Sequence, residues 1–162
     1  MIMGFRFAQG VELGGHSGIV TVVQKWELIP LLRHQEAIDR IRSSIIPSGS
    51  NLACSCYHVS GVGIQFLDGS LRIPDISIFC RRPTEENGLV IAVPAAVIEV
   101  ISEGFEAKDL KFGPPFYLSR GVKDVIVFDP NTLLVLHIRH DGVERLGSPV
   151  DISLECGCRC RI

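Results

Sequence analysis

One run of apolar residues limits what this chain can fold into. Residues 93–101 read Val-Pro-Ala-Ala-Val-Ile-Glu-Val-Ile, and Glu99 is the single charged residue among them. A strand that is apolar on both faces is typical of the centre of a sheet covered on both sides. The run therefore predicts a layered α/β fold with Glu99 buried among apolar neighbours.

A buried Glu99 requires a partner, because an unpaired carboxylate in such a place costs several kcal/mol. The partner is a cation, a metal ion or a bound proton. A second carboxylate, Asp75, lies in the β-branched run 72–80, Arg-Ile-Pro-Asp-Ile-Ser-Ile-Phe-Cys. Strand alternation sends Asp75 and Ser77 to one face. We expect Asp75 and Glu99 to lie on neighbouring strands of one sheet.

The rest of the chain predicts one domain with alternating element types. The predicted helices are 31–45, opened by Pro30, and 106–120, closed by Gly121 and containing Pro114 and Pro115. The predicted strands are 52–57, 62–67, 71–80, the apolar run, 124–128 and 132–138, with a hairpin turn at Asp68-Gly69 and a weak strand after Asp141-Gly142.

The boundaries follow from this order. We expect a single domain over residues 1–162, with its core at about 31–147. The segments 1–30 and 148–162 are predicted to be peripheral, and within the first of them we expect a loop at 10–18 and a strand at 18–23.

Composition excludes some classes of protein. The length of 162 residues fits one domain, and 46% hydrophobic residues predict a folded chain. A net charge of −2 gives no basic footprint for strong non-specific binding to nucleic acid. The most apolar segment, 89–101, is too short to span a bilayer. Since the chain opens on no secretory leader pattern, we expect a soluble cytoplasmic protein with reduced thiols.

Six cysteines form a second group of candidate ligands: Cys54, Cys56, Cys80, Cys156, Cys158 and Cys160. Cys-x-Cys in a strand puts two thiols on one face, where three or four could hold zinc. Zinc sites usually place two to four residues between the first pair of cysteines. We therefore favour the alternative, that these residues are inert fillers of the core.

The carboxylates stand within an ordered set of motifs that resembles a known family. The segments are Arg72-Ile73-Pro74-Asp75-Ile76-Ser77, Val97-Ile98-Glu99-Val100-Ile101-Ser102, Asp109, Tyr117-Leu118-Ser119-Arg120-Gly121-Val122 and Val127-Phe128-Asp129-Pro130. Over residues 34–138, with His34-Gln35 at the polar start of the first helix, they look like the Uma-two family. This family is a bacterial branch of the PD-(D/E)XK superfamily of restriction-endonuclease-like nucleases.

The resemblance implies a fold, a metal and a reaction. The fold is restriction-endonuclease-like, a mixed central sheet flanked by helices. The site is Asp75 and Glu99 with the backbone carbonyl of Val100, holding Mg²⁺ or Mn²⁺, and the substrate is DNA. General chemistry fits, because hard cations take carboxylate, water and phosphate oxygens, and a bound metal ion activates water. The alternative is a Pro-Asp turn at Asp75 and an ion pair between Glu99 and an arginine.

The sequence departs from both patterns at the catalytic lysine. The superfamily lysine, two residues beyond the glutamate, is replaced by Ile101, and the family lysine, four residues before Tyr117, is replaced by Gly113. Lys111 lies nearby on the predicted helix, and we take it as the candidate polarising group.

Two hypotheses of different classes remain. One is a metal-dependent endonuclease that uses Asp75, Glu99 and Lys111. The other is a catalytically degenerate nuclease fold that acts as a binding or assembly module, and a homodimer is compatible with either. The sequence has no Gly-x-Ser-x-Gly elbow and no His-Glu-x-x-His motif, so it offers no sign of those hydrolase classes.

Overall fold

The structure is a computed structural model that describes residues 31–49, 53–102 and 108–162. These residues form a compact unit that runs from Leu32 to Ile162. The predicted loop at 10–18 and strand at 18–23 lie outside the described residues. Within the described ranges, no helix has the length and apolar character needed to cross a bilayer.

The described elements alternate between helices and strands. In chain order they are α1 Leu32–Ser43, β1 Ile46–Pro47, β2 Tyr57–Ser60, β3 Ile64–Gln65, β4 Leu71–Arg72, β5 Ile76–Phe79, β6 Ala96–Val100, a π-helical segment Lys108–Phe112, α2 Gly113–Leu118, β7 Asp124–Phe128, β8 Leu134–Arg139, β9 Gly142–Gly147, β10 Asp151–Ser153 and β11 Cys158–Arg161.

The central sheet is mixed and has the order β2-β5-β6-β7-β8-β9. β6 and β7 are parallel, and the other neighbouring pairs are antiparallel. The parallel pair needs a crossover connection, which α2 and the π-helical segment provide. The apolar run therefore forms the central strand β6, all five residues of which are buried. The prediction of a mixed α/β fold is confirmed.

The predicted strand 71–80 is broken into two. β4 pairs with β3 in a separate hairpin around Asp68-Gly69, and Gly69 takes a φ of +81° in that turn. β5 leaves the hairpin and joins the central sheet between β2 and β6. Pro74 lies at the break, where a residue without a backbone N–H cannot continue a ladder. The break starts β5 one residue after Asp75.

Each face of the central sheet has its own apolar core. On one face Ile76, Ile98 and Val100 pack with the buried side of α1. On the other face Val97, Ile101 and Val127 pack with Tyr117 and Phe66. The odd-numbered residues of β6, Glu99 among them, therefore point toward α2 and the hairpin.

The C-terminal tail contributes to the first core, whereas the sequence predicted a peripheral segment. β11 pairs with β1 and with β10 in a three-stranded sheet. Its alternating side chains are buried, and the buried tail residues are Ile152, Leu154, Cys158, Cys160 and Ile162. Short strands separated by a turn give a weak periodic signal, which is why the sequence did not place them in the core.

The second helix is shorter than the predicted range 106–120. The backbone is π-helical over Lys108–Phe112 and becomes α-helical only at Gly113. Pro114 and Pro115 occupy the first turn of α2, where a missing backbone N–H breaks no hydrogen bond. Gly121 follows the helix with a φ of +94°, as predicted for a residue that ends it.

A buried carboxylate joins the tail to the central sheet. Asp124 is fully buried at the start of β7. Its Oδ1 lies 2.7 Å from His137 Nε2 and accepts a hydrogen bond of 2.6 Å from Arg139 Nε, and its Oδ2 accepts one of 2.8 Å from the Glu155 amide. Burial acts to raise the pKa of Asp124, but the hydrogen bonds from His137, Arg139 and Glu155 hold it below its usual value.

This carboxylate makes the stability of the protein sensitive to acid. Because the folded-state pKa of Asp124 is lowered, its contribution is present above the unfolded value of about 3.9 and is lost as the pH falls through the folded value. We expect Asp124→Asn to lower the free energy of unfolding by about 1–3 kcal/mol at neutral pH and by less in acid. Urea unfolding at several pH values measures this, with the exposed Asp39→Asn as control. An equal loss at all pH values would contradict it.

Candidate active site

Asp75 and Glu99 face each other across two neighbouring strands. Ile76 pairs with Ile98 in the antiparallel ladder of β5 and β6, so the next step outward places Asp75 opposite Glu99. The Asp75 amide donates to Glu99 Oε2 at 3.2 Å, and the Val100 amide donates to Asp75 Oδ2 at 2.8 Å. Since opposed residues project to one face, both carboxylates lie on the α2 side of the sheet.

The two carboxylates differ in their access to solvent. Glu99 is 2% exposed, whereas the Asp75 side chain is 24% exposed. Asp75 sits at the end of its strand, and Glu99 lies one residue from the end of β6. A ligand can therefore reach the pair from the Asp75 side, with Glu99 as the deeper of the two groups.

Tyr117 positions the deeper carboxylate. Its hydroxyl donates a hydrogen bond of 2.7 Å to Glu99 Oε1, and the residue is 1% exposed. Burial raises the pKa of Tyr117, and the negative charge of Glu99 raises it further, so the hydroxyl stays protonated and remains a donor. The sequence included Tyr117 in the family motif without assigning it a role, and its position on α2 now supplies one.

The buried hydroxyl of Tyr117 should contribute to stability. Tyr117→Phe removes one donor to a buried carboxylate and leaves the ring packing in place, so we expect a loss of about 1–3 kcal/mol in the free energy of unfolding. Chemical denaturation measures this loss. Tyr57→Phe is the matched control, because Tyr57 is only partly buried and its hydroxyl donates to no buried carboxylate among the described residues. Equal effects of the two substitutions would contradict the assignment.

His34 holds the outer carboxylate from the side of α1. Its Nε2 lies 3.3 Å from Asp75 Oδ1, and its Nδ1 lies 2.9 Å from Ser102 Oγ. The chain from Ser102 through His34 to Asp75 thus joins the end of β6 to the first turn of α1. Sequence reasoning missed a role for His34 and Ser102, although both stand in the segments that resemble the family.

Two guanidinium groups stack on Phe116, the residue before Tyr117. The Arg72 and Arg120 guanidinium carbons are 3.9 Å and 3.7 Å from the centre of the Phe116 ring. Arg120 also forms an ion pair with Asp68. The charge of Arg72 acts at the Tyr117 hydroxyl, where it lowers the pKa that burial raises. We call this group of Arg72, Phe116 and Arg120 the arginine stack, and its Arg72 places positive charge near the Tyr117 hydroxyl that bonds Glu99.

Lys111, the predicted polarising group, belongs to a different segment from the carboxylate pair. Lys111 belongs to the π-helical segment and is exposed, and within the part of the chain that the structure describes it forms no hydrogen bond or ion pair. Ile101 is buried in the second core, and Gly113 begins α2. The side chain of Asp109 lies outside the described part. Geometry thus brings Asp75, Glu99 and Val100 together, while a role for Lys111 stays a prediction.

The donor set suits a hard cation. The four carboxylate oxygens of the pair lie on one face of the sheet, and carboxylate oxygens are the ligands that hard cations prefer. Ser77 lies on the same face, is fully buried, and its hydroxyl has no hydrogen-bond partner among the described residues. A cavity of about 440 Å³ lined by Phe66, Asp68 and Arg120 contains neither carboxylate.

Comparison with known proteins places this geometry in context. The model of a family described as "Uma2: Putative restriction endonuclease" matches residues 32–154. The fold is also similar to a crystal structure of a "putative nuclease belonging to DUF820" from Anabaena variabilis ATCC 29413. The TM-score is 0.58 and the sequence identity 22%, over 80% of this chain and 75% of that one, so this likeness concerns the fold alone. No curated protein matches the chain. The predicted family resemblance is confirmed.

Proposed function

The chain belongs to the Uma2 family, described as putative restriction endonucleases, and we propose that it is a metal-dependent endonuclease that hydrolyses phosphodiester bonds of DNA. The observation that carries this proposal is the pair of carboxylates facing each other on β5 and β6. Oxygen ligands on one sheet face, one deep and one open to solvent, suit Mg²⁺ or Mn²⁺ together with a phosphate oxygen.

We assign the metal ligands to Asp75, Glu99 and the backbone carbonyl of Val100. A divalent ion held there would supply Lewis-acid chemistry and activate a water molecule. Tyr117 holds Glu99 Oε1, and His34 holds Asp75 Oδ1, so each ligand is oriented by a neighbour. Such orientation keeps the ligand oxygens in place before the substrate arrives.

The positive groups take the roles of binding and polarising the phosphate. The arginine stack presents two guanidinium groups to a DNA backbone, for which their planar donors are suited. Lys111 is exposed on the segment that precedes α2, and we assign it the polarising role that a lysine has in the family pattern. The protein acts in the cytoplasm, where DNA and Mg²⁺ are both present.

A direct assay tests the proposal. Full-length protein is incubated with supercoiled plasmid and with single-stranded DNA in Mg²⁺, in Mn²⁺ and in excess EDTA. We expect nicked or linear products with either ion and none with EDTA, because chelation removes the cation that neutralises the phosphate. Product formed equally in EDTA would contradict the proposal.

A second candidate function rests on the absence of lysine at positions 101 and 113. In this alternative the chain keeps the nuclease fold as a binding or assembly module, as a homodimer. Gel-shift titration and sedimentation measure DNA binding and the oligomeric state. A dimer that binds DNA but leaves it intact under every metal condition would favour this candidate.

A further inference from the structure

Five sulfur atoms from three distant segments meet in one cluster of the first core. Cys54 and Cys56 precede β2, Cys80 follows β5, Cys156 lies in the turn before β11, and Cys158 is the first residue of β11. The Sγ atoms of Cys54, Cys56 and Cys158 all lie within 4.8 Å of one another, as do those of Cys54, Cys80 and Cys156. We call this group the sulfur cluster.

The expectation of separate, reduced thiols was wrong for four of the residues. The structure joins Cys54 to Cys80 and Cys56 to Cys158 as disulfides, across sequence separations of 26 and 102. The reason is long-range: β2 pairs with β5, and the tail packs against the same core. Cys160 is buried and unbonded, and it lies outside both triads.

Two disulfides alone would not require the sulfur atoms of different pairs to lie this close together. Two disulfides can staple a fold without touching each other, but here Cys54 Sγ lies 3.5 Å from Cys158 Sγ, which belongs to the other pair. Cys156 brings a fifth sulfur to the same place. Convergence of sulfurs on Cys54 is typical of ligands around a common centre.

The backbone folds so that both Cys-x-Cys pairs turn inward. Cys56 has a φ of +53°, and Gly157, between Cys156 and Cys158, has a φ of +89°. The first pair lies in an irregular segment before β2, and the second spans the turn that leads into β11, where Leu154 forms hydrogen bonds with Gly157 and Cys158. Such turns bring two sulfurs together despite a spacing shorter than that of the usual zinc motif.

The burial of these sulfurs means that, as thiolates, they would require a bound cation. Cys54, Cys56 and Cys158 are 3%, 4% and 0% exposed. Buried thiolates need a compensating positive charge, and a soft-ligand metal ion supplies it.

We propose that the reduced form of the sulfur cluster is a structural zinc site, in which Cys54, Cys56 and Cys158 form the close triad of ligands and Cys80, whose sulfur bonds Cys54 in the disulfide, is the fourth. Each disulfide takes two electrons from a thiol or phosphine reductant and two protons from that thiol or from water, and gives two thiols, while the reductant becomes a disulfide or a phosphine oxide. Zinc then displaces the four thiol protons. A zinc ion bound by four sulfurs has no open position for a substrate, so the site is structural. Its ligands would link the tail to the segments beside β2 and β5.

Metal analysis of the full chain tests the proposal. The protein is purified with a phosphine reductant and without chelator, and zinc is measured by mass spectrometry. We expect one zinc per chain in the wild type, none in Cys54→Ser, and one in the matched control Cys160→Ser. Zinc retained by Cys54→Ser would overturn the proposal. So would zinc-free wild-type protein in which peptide mapping after thiol alkylation finds Cys54, Cys56, Cys80 and Cys158 all alkylated and therefore reduced.

Cobalt substitution decides the question if Cys54→Ser fails to fold. A cobalt ion bound by four thiolates has intense charge-transfer and visible bands, which carboxylate ligands do not give. We expect these bands in the reduced wild-type protein and in Glu99→Gln, because the sulfur cluster belongs to the core on the opposite face from Glu99. Their absence in the wild type would overturn the site. The spectrum does not depend on nuclease activity, so it separates this proposal from the endonuclease assignment.

Discussion

Asp75→Asn and Glu99→Gln are each expected to reduce Mg²⁺- or Mn²⁺-dependent DNA cleavage by at least about 100-fold. Both substitutions keep the size of the side chain and remove the negative charge that binds a hard cation. Glu99→Gln keeps an oxygen that can accept from Tyr117, and Asp75→Asn keeps one that can accept from Val100. The loss should therefore fall on chemistry rather than on the fold. Initial rates of plasmid nicking measure it.

Control substitutions show whether the effect comes from the loss of a metal ligand or from the loss of a negative charge anywhere on the protein. Asp39 and Glu144 are exposed carboxylates on α1 and β9, so Asp39→Asn and Glu144→Gln should leave cleavage unchanged. Circular dichroism and urea unfolding of each variant check that the fold persists. Cleavage at the wild-type rate by either Asp75→Asn or Glu99→Gln, in folded protein, would remove these carboxylates from the mechanism.

Much of the sheet could be predicted from sequence because its signals are local. The apolar run around Glu99 predicted a buried central strand, and β6 is buried throughout. The alternation around Asp75 predicted its face, and the β5–β6 register places it opposite Glu99. These inferences needed only a period of two along each strand and one pairing between neighbours.

The contacts around the pair could not be predicted in the same way. His34 and Asp75 are 41 residues apart, and no periodicity within α1 indicates that its first turn meets the end of β5. Tyr117 reaches Glu99 only because Pro114 and Pro115 set the start of α2. The segments that resemble the family contain both His34 and Tyr117 but do not indicate their partners, since a motif gives order and spacing but not contact.

The contacts within the sulfur cluster were even harder to predict from sequence. A bond between Cys56 and Cys158 spans 102 residues, and it depends on a tail whose strands are only a few residues long. Sequence spacing alone favoured inert cysteines, because neither Cys-x-Cys pair has the usual zinc spacing. Only the pairing of β11 with β1 and the packing of the tail bring the pairs together.

Lys111→Ala is expected to raise the cleavage barrier by about 2–4 kcal/mol, the effect of losing one electrostatic group that stabilises the transition state. This corresponds to a rate about 30- to 1,000-fold lower. Lys111 is exposed and makes no ion pair within the described residues, so its replacement should leave stability unchanged. Single-turnover cleavage with saturating protein measures the chemical step without the contribution of DNA binding.

Lys123→Ala is the matched control for that change. Lys123 is also exposed, but its amide bonds Ala95 at the start of β6, the end opposite to Glu99. Gly113→Lys restores a lysine at the family position on α2, and it should rescue Lys111→Ala if the missing group is a cation at this helix. Equal rates for wild type, Lys111→Ala and Lys123→Ala would remove Lys111 from the mechanism. If cleavage then appears only with Gly113→Lys, the natural chain is the degenerate module, because its carboxylate pair is competent and only the cation is lacking.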